Sequence, residues 1–211
     1  MIFVVDDLSS FTAKDFDCCI SLLSEQRLKY MWKYRFEKDR RLCMLSYMLL
    51  RFGLLHEFGI SEKPEFQQNA NGSDLHMNMS HCCEAVACAL DISEVGIDVQ
   101  NTEVYSNTWG ERILTPMENI QIAHAPFPDR RFTEIWSLKE AYGKYMGSGV
   151  LYEINNTDLS MIDSGWTRWR DLEMFLYSSQ KYALAVCGEK KMMTKRVSVQ
   201  ELKEQLSLVR C

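Results

Sequence analysis

This 211-residue sequence lacks several features that would assign it to a broad class of protein. No uninterrupted apolar run approaches the roughly 18 residues that suggest a membrane-spanning helix. The opening segment, MIFVVDDLSS, has no basic stretch of the kind found in secretory signal peptides. The net charge is −5 and there is no long basic run, so nothing gives a general attraction to nucleic acid or to anionic membranes. The sequence therefore predicts partners other than nucleic acid or a membrane, recognised by local features.

The eight cysteines lack the arrangement of a small secreted domain held together by disulfides. They are Cys18, Cys19, Cys43, Cys82, Cys83, Cys88, Cys187 and Cys211. We interpret them as reduced thiols, which predicts a cytoplasmic protein. With 46% hydrophobic residues, the chain can bury a substantial core, either as one domain or as two small ones.

Proline is scarce, and none occurs between residues 12 and 58, a stretch rich in helix formers. Apolar residues at helical spacing predict a largely buried helix there that stops near Gly59. Its buried face is marked by Leu42, Leu45, Leu49 and Phe52. The same region carries the cations Arg27, Lys29, Lys33, Arg35, Lys38, Arg40, Arg41 and Arg51. Most are expected on a solvated helix face, but so many cations in a net-acidic chain also indicate a local anion site.

The remaining chain is predicted to alternate between strands and helices, after a polar loop at 64–74. Strands are expected at the start of the chain and at 85–90, 94–99, 150–154, 173–179 and 182–188, and helices at 112–123, 136–147 and 197–209. A loose strand, helix, strand order thus occurs in each half, divided near residues 91–95. This order indicates an α/β (α+β) protein.

Three short motifs contain most of the residues capable of chemistry. They are Asn78-Met79-Ser80-His81, Gly96-Ile97-Asp98 and the helical stretch WSLKEAYGK at 136–144. On the predicted strand, side chains alternate, so that Gly96, Asp98 and Gln100 share one face. A ligand could approach the backbone closely at the glycine.

The helical stretch places an aromatic ring, a carboxylate and two ammonium groups on one side. Trp136, Glu140 and Lys144 follow one another at i, i+4 and i+8, and Lys139 lies beside them at i+3. One explanation is an ordinary Glu-Lys pair on a solvated face, which contributes only about 0.2–0.5 kcal/mol. The other is a helix that faces a site holding a cation and an anion together.

In this order, the three motifs resemble those of the 4'-phosphopantetheinyl transferases, in particular the long Sfp type that activates carrier proteins of peptide and polyketide synthases. The family is marked by an N-x-S-H stretch, a G-I-D strand and a W-S-x-K-E-[AS]-x-x-K helix. Asp98 follows His81 by 17 positions and Lys139 follows Asp98 by 41, which matches the family's spacing. The resemblance covers nearly the whole chain and is firmest from about 76 to 149.

The resemblance implies a fold in which two similar α/β halves form a pseudo-dimer with the active site between them. The halves expected are 1–93, with contacts to coenzyme A phosphates, and 94–211, with the metal site and the catalytic helix. Short members of the family are about half as long and trimeric, so the length implies a monomer.

The implied reaction moves the phosphopantetheine arm of coenzyme A onto a serine of an apo acyl or peptidyl carrier protein and releases 3',5'-ADP. Catalysis of such a transfer is mostly positioning and charge neutralisation. The resemblance implies Mg²⁺ held by Asp98 and Glu140, with Gln100 beside them. Glu140 would also be the base for the serine proton, and Lys144 would stabilise the diphosphate charge.

The resemblance also implies residues that bind coenzyme A. His81, next to Ser80, would hold one of its phosphates, and Lys139 would pair with another. The candidates for the 3'-phosphate are Arg27, Arg40 and Arg41. Trp136 is expected to fix the helix by packing.

The sequence departs from the family pattern in two places. Many members carry a second acid two positions after the Asp, where this chain has Gln100, which removes one negative charge from the metal site. Many members also have G-K-P near the nucleotide, where this chain has Asn71-Gly72-Ser73-Asp74, so a lysine is missing.

Three other interpretations compete with the transferase. The first is a degenerate family member that binds coenzyme A or a carrier protein without transfer, which Gln100 favours. The second is a zinc site formed from His76, His81, Cys82, Cys83 and Cys88. Adjacent cysteines on a strand point to opposite faces, which argues against it. The third, an α/β domain without chemistry, leaves the inward-facing charges unexplained.

Overall fold

The computed structural model describes residues 1–65, 75–102, 104–105, 112–147 and 154–208. Its helices are α1 (Ala13–Cys19), α2 (Glu25–Met31), α3 (Glu37–Phe58), α4 (Pro116–His124), α5 (Pro128–Tyr145) and α6 (Val199–Leu208). Its strands are β1 (Ile2–Val5), β2 (His76–His81), β3 (Val86–Asp91), β4 (Val95–Asn101), β5 (Gly165–Trp169), β6 (Leu172–Ser178), β7 (Tyr182–Gly188) and β8 (Thr194–Arg196). The mixture of helices and sheets confirms the predicted α/β class. Within the described residues, no helix is long and apolar enough to cross a membrane.

The chain divides into two compact units. The first contains Met1–Ile92 together with Met192–Cys211, and the second contains Ser93–Lys191. The sequence placed the first boundary at residue 93 but assigned everything after it to the second half. The structure differs because β8 pairs in parallel with β1, and because α6 adds Leu202 and Leu206 to the apolar core of the first unit.

The first unit is built on a four-stranded sheet in the order β2-β3-β1-β8. Helix α3 packs against this sheet, and of the predicted face Leu45, Leu49 and Phe52 are buried whereas Leu42 is half-buried. The helix is buried on all sides from Cys43 to Leu54. Gly59 ends the helix in the left-handed conformation, with φ of 67°. A glycine adopts this backbone more readily than other residues, because it has no Cβ.

The second unit has an antiparallel sheet in the order β4-β7-β6-β5. Helix α5 packs against β4 and β7. It begins with Pro128 in its first turn, a position where the missing N–H of proline is tolerated. Thr115 caps α4 by accepting a hydrogen bond from the Glu118 N–H, and the Glu118 side chain accepts one from the Thr115 N–H in return.

Gly96 explains how closely α5 approaches β4. A Cβ at this position would lie 2.0 Å from the Ala141 carbonyl oxygen and 2.5 Å from the Tyr145 nitrogen. The glycine of the G-I-D motif is therefore required by helix packing. The expectation that a ligand approaches the backbone at Gly96 is wrong, because the α5 backbone occupies that space.

Three strands were not predicted from the sequence: β2, β5 and β8. The expected strand at 150–154 lies mostly outside the described residues, and its last residue, Ile154, begins a 3₁₀ turn that extends to Asn156. The missed strands are edge strands of their sheets, and backbone pairing with a neighbour defines them more than side-chain propensity does.

Candidate active site

Strand β4 carries Asp98 into the interior of the second unit. Asp98 lies opposite Ala185 of β7 in the sheet, and only 1% of its surface is exposed. Because side chains two apart on a strand point the same way, Asp98 shares the face of Gly96, which α5 covers. The strand thus fixes a carboxylate against the helix.

Lys144, in the last turn of α5, binds this carboxylate. Its Nζ donates to Asp98 Oδ1 at 2.7 Å and to the Ile97 carbonyl oxygen at 3.0 Å. The Lys144 side chain is 28% exposed, whereas that of Asp98 is 2% exposed. The pair joins the end of α5 to β4 and leaves part of the ammonium group open to solvent.

Glu140 lies one helical turn before Lys144 and is half-buried. Burial and the negative charge of Asp98 together raise the pKa of Glu140 to about 7, although the positive charge of Lys144 opposes the shift. Within the described residues, no hydrogen-bond donor contacts this carboxylate. Glu140 is therefore a half-buried carboxylate with a raised proton affinity, to which none of the described side chains donates.

Gln100 follows Asp98 by two positions on β4 and faces the same way. It is half-buried, and its backbone pairs opposite Ala183. The amide of Gln100 therefore lies on the same strand face as the Asp98 carboxylate. Many members of the family that this sequence resembles have an acid at this position.

Lys139 does not join Glu140 and Lys144. It is buried on another side of α5, where Nζ lies 2.9 Å from Glu118 Oε2 and donates to the carbonyl oxygens of Ile154 at 2.7 Å and Thr157 at 2.6 Å. Burial lowers the pKa of Lys139, and Glu118 opposes that shift. This corrects the expectation that Lys139 binds a phosphate, because these contacts use all three of its N–H donors.

The N-x-S-H motif forms part of β2, the edge strand of the first unit. Ser80 is buried opposite Ala87, and His81 is half-buried opposite Val86. Both residues lie at the end of the strand, and neighbouring Met79 contacts Arg27, whose Nη2 lies 3.8 Å from the methionine sulfur.

Arg27 lines a cavity of about 580 Å³ in the first unit, together with Gln26, Lys29, Tyr30 and Lys33. Its guanidinium donates to the Cys43 carbonyl oxygen at 2.9 Å and lies over the Tyr30 ring, 5.2 Å from its centre. Lys29 and Lys33 were not singled out from the sequence as site residues. Their i, i+4 spacing flanking an aromatic residue is the signal that could have identified them.

The other two predicted arginines have different environments. Arg40 donates from Nε to the Tyr34 carbonyl oxygen at 2.9 Å and stacks over the Trp32 ring at 4.9 Å. Arg41 pairs with Glu37 at 2.6 Å on the exposed side of α3. Neither is among the residues that line the cavity at Arg27.

The zinc alternative finds no support in the described part of the chain. No group of three or more His, Cys, Asp or Glu side chains there is close enough to hold a metal, although His76, His81, Cys82, Cys83 and Cys88 are all described. The departure at Asn71-Gly72-Ser73-Asp74 lies outside the described residues.

Comparison with known proteins identifies the family to which the chain belongs. Residues 94–207 match the model of the 4'-phosphopantetheinyl transferase superfamily. The chain is 27% identical over 193 residues to the 4'-phosphopantetheinyl transferase psf-1 of Bacillus pumilus, covering 83% of this chain and 82% of the relative. It is 28% identical over 149 residues to the transferase gsp of Aneurinibacillus migulanus, covering 67% and 63%. It is 21% identical over 156 residues to Sfp of Bacillus subtilis, covering 69% and 70%.

The chain therefore belongs to the 4'-phosphopantetheinyl transferase superfamily and is an enzyme of the Sfp type. The matched region contains all of the second unit except Ser93, and so includes Asp98, Glu140 and Lys144.

Proposed function

We propose that this enzyme transfers the 4'-phosphopantetheine arm of coenzyme A to a serine of an apo acyl or peptidyl carrier protein and releases 3',5'-ADP. The observation that carries the proposal is the state of Glu140. Its carboxylate has a pKa raised to about 7 and no donor among the described residues. A divalent cation bound here would lower this pKa, so that Glu140 is ionised at neutral pH and can accept the serine proton.

The donor set also fits magnesium, which we propose as the metal. Mg²⁺ prefers hard oxygen ligands, usually one or two protein carboxylates completed by phosphate and water. Asp98 and Glu140 supply carboxylates, and Gln100 supplies an amide oxygen. The charge of Asp98 raises the pKa of Glu140, and a divalent cation held by both would relieve this repulsion. When bound, the metal neutralises charge on the diphosphate.

The residues of the second unit then have distinct tasks. Glu140 removes the proton from the serine hydroxyl, and the oxygen forms a bond to the phosphorus nearer the pantetheine. The bond from this phosphorus to the bridging oxygen breaks, and 3',5'-ADP leaves. Lys144, held by Asp98 at 2.7 Å, places a positive charge that stabilises the negative charge developing on the leaving group.

We assign binding of the coenzyme A phosphates to the first unit. The cavity lined by Arg27, Lys29 and Lys33 brings together three cations and the Tyr30 ring, a combination suited to a phosphate and an aromatic base. His81 and Ser80 would bind a further phosphate. These assignments replace Arg40 and Arg41 as first candidates for the 3'-phosphate, since neither lines the cavity.

The resemblance to the long members of the family further supports a monomer in the cytoplasm. Light scattering of the purified protein tests the oligomeric state, and a tagged chain in fractionated cells tests the location.

The proposal is tested by intact-mass spectrometry of several apo carrier proteins incubated with the enzyme and coenzyme A, with Mg²⁺ or with EDTA. We expect a gain of one phosphopantetheine that requires magnesium. Binding of coenzyme A without a mass gain on any carrier would instead support the degenerate binding protein. In that case Gln100→Glu is the first reversion to examine, since Gln100 is the residue that favours this alternative.

A further inference from the structure

Helix α5 is anchored through a buried ion pair one residue away from Glu140. Lys139 and Glu118 have fully buried side chains, and their charged atoms lie 2.9 Å apart. Lys139 also donates to the carbonyl oxygens of Ile154 and Thr157. The ammonium group therefore ties α5 to α4 and to the segment that follows residue 153.

Both carboxylate oxygens of Glu118 likewise have hydrogen-bond partners. Its Oε2 accepts a hydrogen bond from the Thr115 N–H at 2.7 Å, and its Oε1 accepts one from the Leu159 N–H at 2.9 Å. One carboxylate thus closes the first turn of α4, holds the ammonium of α5 and fixes the backbone at Leu159. Each of its bonds has a defined direction, because the partners are backbone N–H groups or a buried ammonium.

A buried pair of this kind is a weak source of stability. Well-packed hydrophobic residues of the same volume often stabilise a fold as much or more, whereas removing one partner alone is strongly destabilising. What such a pair can add is a defined rotation of the helix about its axis. Successive residues are separated by about 100° around a helix, so fixing the side on which Lys139 lies also fixes the side from which Glu140 projects.

We propose that Glu118 and Lys139 form a positioning pair that sets the direction of Glu140 towards Asp98. The pair touches neither substrate nor metal; it acts through the rotation of α5. The expected change in kcat rests on the proposed function, but the expected position of the Glu140 carboxylate does not.

The test compares the wild type with Glu118→Gln, Lys139→Met and the neutral double variant Glu118→Gln/Lys139→Met. The double variant matters because it leaves no unpaired buried charge, which is the main destabilising effect of each single variant. The matched control is Arg131→Met/Glu134→Gln. It removes another ion pair of α5, with charged atoms 3.0 Å apart and side chains 10% and 9% exposed. Arg131 also holds the carbonyl oxygens of Ser160 and Ile162.

We expect the double variant to fold and to lose at least tenfold in kcat, with the KM for coenzyme A changed less than threefold. Crystal structures should show its Glu140 carboxylate displaced from the wild-type position relative to Asp98 by about 1 Å or more, a shift large enough to impair catalysis. The control variant should keep the wild-type position and kcat. A folded double variant with wild-type geometry and kcat would overturn the positioning pair.

The outcome separates the two proposals. If the wild type transfers nothing to any carrier protein, the proposed function fails, and the position of Glu140 in the crystal structures alone decides on the positioning pair. If the wild type is active and the double variant is equally active with Glu140 in place, only the positioning pair fails.

Discussion

The two long helices of the molecule each pack on a four-stranded sheet but bury different kinds of side chain. Helix α3 of the first unit buries mainly apolar residues, with Ser46 and Arg51 as its buried polar side chains. Arg51 donates to the carbonyl oxygens of Leu22 and Ser61. Helix α5 of the second unit buries Arg131, Glu134 and Lys139 and keeps Glu140 and Lys144 half-buried.

This difference shows what each helix contributes. The apolar face of α3 stabilises its unit through area removed from water, at about 25 cal/mol per Å². Lys139 and Lys144 of α5 instead pair with buried carboxylates of other elements, Glu118 of α4 and Asp98 of β4. The second unit, which contains the candidate catalytic residues, is therefore the one in which single polar changes should have large effects.

The largest effect is expected for Glu140→Gln. Loss of the proposed base and metal ligand should lower the transfer rate by about 10³-fold or more, while coenzyme A still binds. Carrier mass gain over time and calorimetric titration with coenzyme A measure the two effects. Glu57→Gln, a carboxylate of the first unit paired with His56, is the control and should stay active. Unchanged turnover in Glu140→Gln would remove Glu140 from its role.

The next largest effect is expected when either of two glycines at helix–sheet contacts is replaced by alanine. In Gly96→Ala the new methyl group meets backbone atoms of α5 at 2.0 and 2.5 Å, and backbone gives way less easily than side chains. We expect a loss of about 3 kcal/mol or more in the free energy of unfolding. In Gly53→Ala of α3, the nearest atoms are side-chain carbons of Leu90 at 2.6 Å and Phe3 at 2.9 Å, so about 1 kcal/mol is expected. Urea denaturation compares them, and equal losses would contradict the close approach of α5.

Lys144→Met should lower the unfolding free energy by about 2 kcal/mol, because it leaves the Asp98 carboxylate buried without its cation. It should also raise the pKa of Glu140, which Lys144 now lowers, and so shift the acid limb of the pH–rate profile upward. Thermal unfolding and the pH profile check both. An acid limb that stays in place would show that Glu140 does not sense Lys144.

The pH dependence of stability should differ between the units. In EDTA, the pKa of Glu140 is about 7 in the folded protein against an ordinary value of 4.5, so the folded state retains a proton that the unfolded state has lost. Its contribution therefore makes the protein less stable as pH rises from about 4.5 to 7. Glu140→Gln should abolish this decline and add roughly 2 kcal/mol at pH 8.

Asp15 of the first unit has the opposite behaviour, because hydrogen bonds from Lys203 and Thr12 together lower its pKa from 3.8 to about 2. Its contribution is present above pH 4 and is lost as pH falls towards 2. Thermal unfolding from pH 2 to 8 of the wild type, Glu140→Gln and Asp15→Asn separates the two. A wild-type and a Glu140→Gln curve that run parallel from pH 4.5 to 7 would contradict the raised pKa.

The smallest effect is expected for Gln100→Glu, which adds a negative charge on the face of Asp98. It should lower the magnesium concentration for half-maximal rate several-fold, an effect on the order of 1 kcal/mol. A magnesium titration of the transfer rate measures it. No change would mean that residue 100 does not sense the metal.

Several parts of the molecule could be predicted from the sequence because their signals are local. The leucine spacing of α3 identified its buried face, and Gly147, with φ of 65°, lies just after the end of α5 as expected for a helix stop. The G-I-D alternation placed Asp98 and Gln100 on one strand face. These features depend only on periodicity and on backbone preferences.

Other parts depend on contacts distant in sequence. Lys139 and Glu140 follow Trp136 at i+3 and i+4 and so lie on either side of it, and the sequence does not say which side is buried. Glu118, whose carboxylate pairs with Lys139 in the interior, lies 21 positions before Lys139. Likewise β2, HMNMSH, contains no β-branched or aromatic residue and is a strand because β3 pairs with it along its whole length.

Met192–Cys211 belongs to the first unit although it follows the second unit in the sequence, and this order affects how the chain folds. The second unit is one continuous segment, so all of its strands and helices have been synthesised before β8. The first unit lacks β8 and α6 until that moment, and the edge of β1 and part of the α3 surface stay uncovered. Folding of the second unit therefore requires only contacts within one continuous segment, whereas the first unit is complete only when Met1–Ile92 and Met192–Cys211 come together.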